Sequence, residues 1–208
     1  MAEVSKPTDP AVDPPLDLKD PAVAAILAWL IPGLGHWYQG RRAKSVLYFV
    51  AIMGLFGWGV YLGGSGRPLK DDGRNVTIGY GRAVYFSWWP EHRWPYFCQV
   101  FAGLPALPAL YQAHRMDQGQ RVLFGGFMAP PLPERVARAN PNGPNADQPT
   151  SHELNKLLNR YFDLATFYTM VAGLLNVLAI YDAWGGPVVV QPSKKDKDPD
   201  EEQKKERA

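Results

Sequence analysis

The run SVLYFVAIMGLFGWGVYLGG, residues 45–64, decides how the rest of the chain is read. It holds twenty residues without a charge. At about 1.5 Å rise per residue, a helix of that length covers the roughly 30 Å hydrocarbon core of a bilayer. A helix on a water-soluble fold would show polar residues at a 3.6-residue period, and none recur here. Gly54, Gly57 and Gly59 add a smooth strip on which another helix can pack closely.

Three more charge-free windows lie on either side of this one: Ala22–Tyr38, Trp94–Ala113 and Leu164–Ile180. The first opens with Asp20 as N-cap and Pro21 at the first helical position. Pro32, Gly33 and Gly35 interrupt its second half, which predicts a break there and a tight reversal through Gln39 and Gly40. The third carries Pro95, Pro105 and Pro108 and is expected to be kinked, with Trp88, Trp89 and Trp94 crowding its entrance at headgroup level. The fourth continues a helix that starts at Thr150, where Glu153 has capping-box spacing. That helix is amphipathic through Leu154, Leu157, Leu158 and Tyr161 and then apolar, so one long helix is predicted over 150–186, stopped by Gly185, Gly186 and Pro187.

The segments between are polar. Residues 1–20 combine five acids with four prolines, and the last sixteen residues balance six basic against six acidic groups, so both read as disordered tails. The acidic start lacks the basic opening of a secretory signal. Residues 65–93 contain an Asp71-Asp72-Gly73 turn and a β-like stretch from Asn75 to Phe86, a candidate small hairpin. Residues 114–149, rich in Pro, Gly and Asn, are expected to form a long irregular or mobile loop.

Mean hydropathy of −0.24 looks soluble only because the apolar windows are averaged with these segments. The 22 basic residues are balanced by 20 acidic ones, which excludes the basic excess of a nucleic-acid binder. Cys98 is single and has no internal disulfide partner; in its apolar surroundings it reads as a small buried hydrophobe.

Residues 24–41, AAILAWLIPGLGHWYQGR, resemble the TM-two domain, a helical hairpin with two transmembrane helices. The matching positions are Gly33, Gly35, His36, the Trp37-Tyr38 pair, Gly40 and Arg41, with one residue fewer between the second Gly and the His than is usual in that family. Its acidic residue near the end of a later helix would correspond to Asp182, here after two further spans and a long loop. The whole chain is also similar to uncharacterised bacterial multi-pass proteins that begin with such a hairpin. The resemblance implies membrane insertion and no activity.

Polar residues in apolar windows are the candidates for function, because burying them in lipid is costly. His36 ends the first window, where a hydrogen bond at the turn competes with titration or ligand binding. Asp182 lies at the end of the fourth, where the reading as a plain interfacial acid is preferred over a pairing with the Arg41-Arg42 hinge, which requires both to lie on one face. Asn176, deep in the fourth window, suits interhelical glue. The histidines His36, His92, His114 and His152 are scattered, and no metal, nucleophile-elbow or phosphate-loop pattern occurs. The expected protein is therefore an all-α membrane protein of about four transmembrane helices in two hairpins. It is not an enzyme, carries no cofactor, sits in the inner (cell) membrane with both termini cytoplasmic, and has as partners the lipid bilayer and other membrane proteins or itself. The competing reading is a small transporter or channel component, which needs His36, Asn176 and Asp182 to converge on one watery cavity. A membrane enzyme comes third.

Overall fold

The computed structural model describes residues 19–64, 68–71, 74–87 and 94–186. The expected disordered tails, apart from Lys19 and Asp20, lie outside the described residues, as do Trp88 and Trp89.

Helix α1 (Pro21–Leu30) starts where the Asp20 carboxylate accepts from the Ala22 amide at 2.9 Å. It stops ahead of Pro32 and Gly33, the latter at φ 85°, a left-handed value that glycine adopts without steric cost. The short α2 (Leu34–Tyr38) then runs back along α1, so close that a Cβ on Gly35 would strike the Ala24 carbonyl. Lys19 Nζ lies 4.9 Å from the centre of the Tyr38 ring. Both ends of the first window are therefore at the same end of the bundle, here called the upper end.

Helix α3 (Arg42–Leu62) descends from that end, and α8 (Arg160–Gly185) rises antiparallel beside it, with Lys44 next to Asp182 and Gly59 against Ala165 and Thr169. Among the described residues these two helices are long and apolar enough to cross a membrane.

The third window makes the opposite excursion. Helix α4 (Trp94–Gln99) climbs alongside α8, a 3-10 turn follows at Val100–Ala102, and the chain reverses at Gly103 (φ 82°, ψ −142°). A second 3-10 turn, Leu104–Ala106, leads into α5 (Pro108–Asp117), which returns to the lower end. The Tyr96 hydroxyl clasps the reversal by donating to the Ala106 carbonyl at 3.0 Å. The two hairpins thus enter from opposite ends, and their tips touch: a Cβ on Gly103 would collide with the Trp29 carbonyl.

The four expected full-length helices resolve into two, plus two hairpins that turn back part-way. The physical reason is that a hydropathy window measures apolar length, and Pro32-Gly33 and Gly103-Leu104-Pro105 reverse the direction of the chain inside such a length.

The lower end carries a folded cap. Its hairpin pairs β1 (Pro68–Asp71) with β2 (Arg74–Thr77), Asp71 opposite Arg74, so the strands lie earlier than the expected 75–86 stretch, which is strand only to Thr77 and turn or irregular beyond it. The proline-rich connection is irregular as expected, yet it is built: the Leu132 amide donates to Pro149 O at 2.8 Å, the Val122 amide to the Asn145 side chain at 3.0 Å, and α6 (Glu134–Ala139) interrupts it. Helix α7 (Ser151–Leu158) opens with both bonds of the Thr150–Glu153 capping box. Asn159 at φ 47° separates it from α8, so the predicted single helix over 150–186 is two. Leu154, Leu158 and Phe162 pack on Val76, Ile78 and Tyr85 to give the cap its own apolar core.

Beside the buried Ile52, Phe56 and Tyr96, the bundle interior is rich in small and polar side chains. Ala24, Ala28, Ala102, Ala172, Ala179 and Ala183 are buried between helices with His36, Gln99, Thr169 and Asn176, while Leu47, Val50, Phe167, Leu178 and Tyr181 point outward. The close approaches that small residues permit are the reason: a Cβ on Gly173 would strike the Cys98 carbonyl. Gly59 packs on α8 as the glycine strip predicts, whereas Gly54 and Gly57 face open space.

Candidate functional site: a carboxylate knot and a mid-bundle amide

Asp182, in the last turn of α8, collects three partners at the upper end. His36 Nε2 lies 2.8 Å from Oδ2. Arg41 reaches both carboxylate oxygens, at 3.2 and 3.0 Å, and the Asp182 main-chain carbonyl at 3.3 Å. Lys44 adds a longer contact at 3.3 Å from the surface. Neighbouring Gln39 donates to the Ala183 carbonyl at 2.7 Å, and the Tyr48 ring lies 4.8 Å from that of His36. The α2 segment can present His36 here because Gly33 turns the chain back, and Gly40 at φ 80° then swings Arg41 under α8. With both oxygens engaged, the carboxylate acts as a latch between the α1–α2 hairpin, α3 and α8.

Of the basic pair, only Arg41 pairs with Asp182. The Arg42 guanidinium lies 5.7 Å from the centre of the exposed Trp37 ring.

Asn176 lies six residues deeper along α8, about 9 Å at helical rise, and is fully buried. Its Nδ2 donates to Ala28 O at 3.0 Å, in α1, and to Phe101 O at 2.8 Å, beyond α4. Those carbonyls belong to the last turns of the two hairpin arms, where helical acceptors lose their partners. One amide therefore ties both tips to α8.

Asn176 is not the one amide buried within an apolar window. Gln99 is equally buried, donating at 2.8 Å to the Thr169 hydroxyl and at 3.1 Å to Ala83 O. Its position inside an otherwise apolar window is a signal the sequence does contain. Arg82, also missed, sits fully buried in the cap, where its guanidinium donates to Ala129 O at 3.4 Å, Gly125 O at 3.3 Å and the Gln148 side chain. Burial pushes its pKa down to about 10, so it remains charged at neutral pH. Nothing in its polar stretch of sequence marks it.

Two cavities lie in and beside the cap. One of about 550 Å³ is walled by Pro130, Pro133, Pro144 and Val136 with Asp117 at its edge. A second, of about 620 Å³, lies between Tyr80, Tyr111 and Phe124. His36, Asn176 and Asp182 line neither. Among the described residues no three His, Cys, Asp or Glu side chains gather as a metal would require.

Residues 23–196 match the family of unknown function DUF6677. The chain belongs to that family. The region that defines family membership takes in both hairpins, both long helices, the cap, and every residue of the latch and of the mid-bundle amide. No curated protein and no solved structure matches the chain.

Proposed function

We propose that this DUF6677 member is a multi-pass protein of the inner (cell) membrane, in which α3 and α8 cross the bilayer and the two hairpins each enter and leave through one face. Its role is non-catalytic: it binds other membrane proteins or a second copy of itself. The observation that carries the membrane reading is the outward display of large apolar side chains along α3 and α8, with alanine and hydrogen-bonded polar groups prominent among the buried residues beside Ile52, Phe56 and Tyr96. Lipid is the solvent that rewards that arrangement, and irregular backbone at membrane depth is tolerated because it is buried in protein. The resemblance of residues 24–41 to the TM-two hairpin supports insertion as well.

The open faces of Gly54 and Gly57 support helix–helix association on the outer side of α3. Transport gains less support, because only His36 and Asp182 meet, while Asn176 is held below them by the two hairpin tips. Lys19, Arg41, Arg42 and Lys44 lie at the upper end, while Arg115, Arg121, Lys156 and Arg160 lie at the lower, so basic residues near the span ends do not by themselves choose a cytoplasmic face. Both ends of the described chain lie at the upper end, and the proposal takes that end as the cytoplasmic one.

The test is labelling by a membrane-impermeant maleimide in a Cys98→Ser background, with single cysteines replacing Lys19, Arg42 and Gln118. Positions 19 and 42 are expected to react from one side and 118 from the other. Labelling of 19 and 42 from opposite sides would remove the half-crossing arrangement. For the partner reading, recovery of the chain alone and monomeric from mild detergent would count against it.

A further inference from the structure

We propose that the cleft between Tyr80, Tyr111 and Phe124 holds a lipid acyl chain. The inference rests on the reading that α3 crosses a bilayer. The cleft has a volume of about 620 Å³, within the roughly 300–1,000 Å³ usual for ligand sites, and its walls also include Ile78, Pro108, Leu123 and Phe127. Its one amide side chain is already spent: Gln112 Nε2 donates to Leu123 O at 2.9 Å and Phe127 O at 3.0 Å, and its Oε1 accepts from the Leu123 amide at 3.0 Å. A hydrocarbon suits that interior better than a polar ligand does.

Location selects lipid as the source. Tyr80 stacks on Tyr61 at 5.9 Å, and Tyr61 lies 5.7 Å from Trp58, so an unbroken aromatic row leads from the outer face of the last turns of α3 to the cleft wall. Aromatic side chains in that position mark the level where a bilayer core gives way to headgroups. Phe124 adds an independent observation. It sits at φ 52°, followed by Gly125 at 64° and Gly126 at 81°, and its side chain is 85% exposed. A bulky residue held in left-handed backbone, with its ring in water, gains nothing from the rest of the chain. Insertion of that ring beside an acyl chain supplies the missing burial.

The experiment reconstitutes the full chain in phosphatidylcholine vesicles doped with phosphatidylcholine carrying a photoactivatable diazirine on one acyl chain, and maps the adducts by mass spectrometry. Adducts are expected on Tyr80, Tyr111 or Phe124 and also on outward residues of α8 such as Leu178. In Leu123→Trp, which fills the cleft, the first set is expected to fall at least five-fold while the α8 set stays, which also reports that the fold survives. Adducts on α8 alone, or cleft adducts that persist in Leu123→Trp, overturn the acyl-chain site and leave the membrane reading standing. Adducts on neither overturn both.

Discussion

His36 and Asp182 stand 146 positions apart in sequence and 2.8 Å apart in space, and Arg41 closes the same contact from the other side. Removing the carboxylate leaves Arg41, whose side chain is only 9% exposed, without its counter-charge. Asp182→Ala is therefore expected to destabilise the protein by about 2–4 kcal/mol, tempered from the fully buried case because the carboxylate is partly exposed. Lys44→Ala, at the solvent edge, is expected to cost less than about 1 kcal/mol. Thermal unfolding in one detergent checks the order, and equal effects would mean that the contact is a surface ion pair and no latch.

Asn176 presents a sharper case, because one side chain serves two hairpins. Asn176→Ala strands two buried carbonyls at about 1–3 kcal/mol each. Asn176→Asp, which loses the donor and buries an acid between two acceptors, is expected to be worse. An Asp variant as stable as the native chain would refute the pin, as read by unfolding temperature.

The glycines of α3 separate inner from outer packing. Gly59→Leu forces a side chain into Ala165 and Thr169 and is expected to cost about 1–3 kcal/mol or more. Gly57→Leu meets open space and is expected to leave unfolding unchanged within about 0.5 kcal/mol. If association uses that outer face, the same Gly57→Leu variant lowers the yield of co-purified partner or dimer.

Arg82 offers a test confined to the cap. Arg82→Met removes donors from the Gly125 and Ala129 carbonyls and is expected to cost about 2–3 kcal/mol. Arg82→Lys recovers only part of that, since an ammonium cannot reproduce the planar fork. Proteolysis of residues 120–150 is the readout: faster cleavage with an intact α3–α8 pair is expected.

How much of this the sequence discloses depends on what each signal measures. The absence of charge over 45–64 and 164–180 marks the two long helices well, because apolar length is the property that a crossing helix needs. The same signal overcounts at 22–38 and 94–113, where it carries no information on direction; Pro32-Gly33 and Gly103 held that information, and read singly they indicate a kink as readily as a reversal. The latch was half legible, in His36, Asp182 and a basic neighbour. The choice of Arg41 over Arg42 follows from where Gly40 points the chain, which composition does not reveal. Arg82 and the packing of the proline-rich segment depend on contacts between distant stretches and left no local trace.

The helix against which both hairpins and α3 lean is the last of the described elements to be synthesised. Until the ribosome has delivered Asn176 and Asp182, the hairpin tips have no shared anchor, so the nascent protein must be sheltered through most of its translation. Truncations that end before residue 160 should for that reason be cleared by membrane proteases rather than accumulate as shorter folded forms.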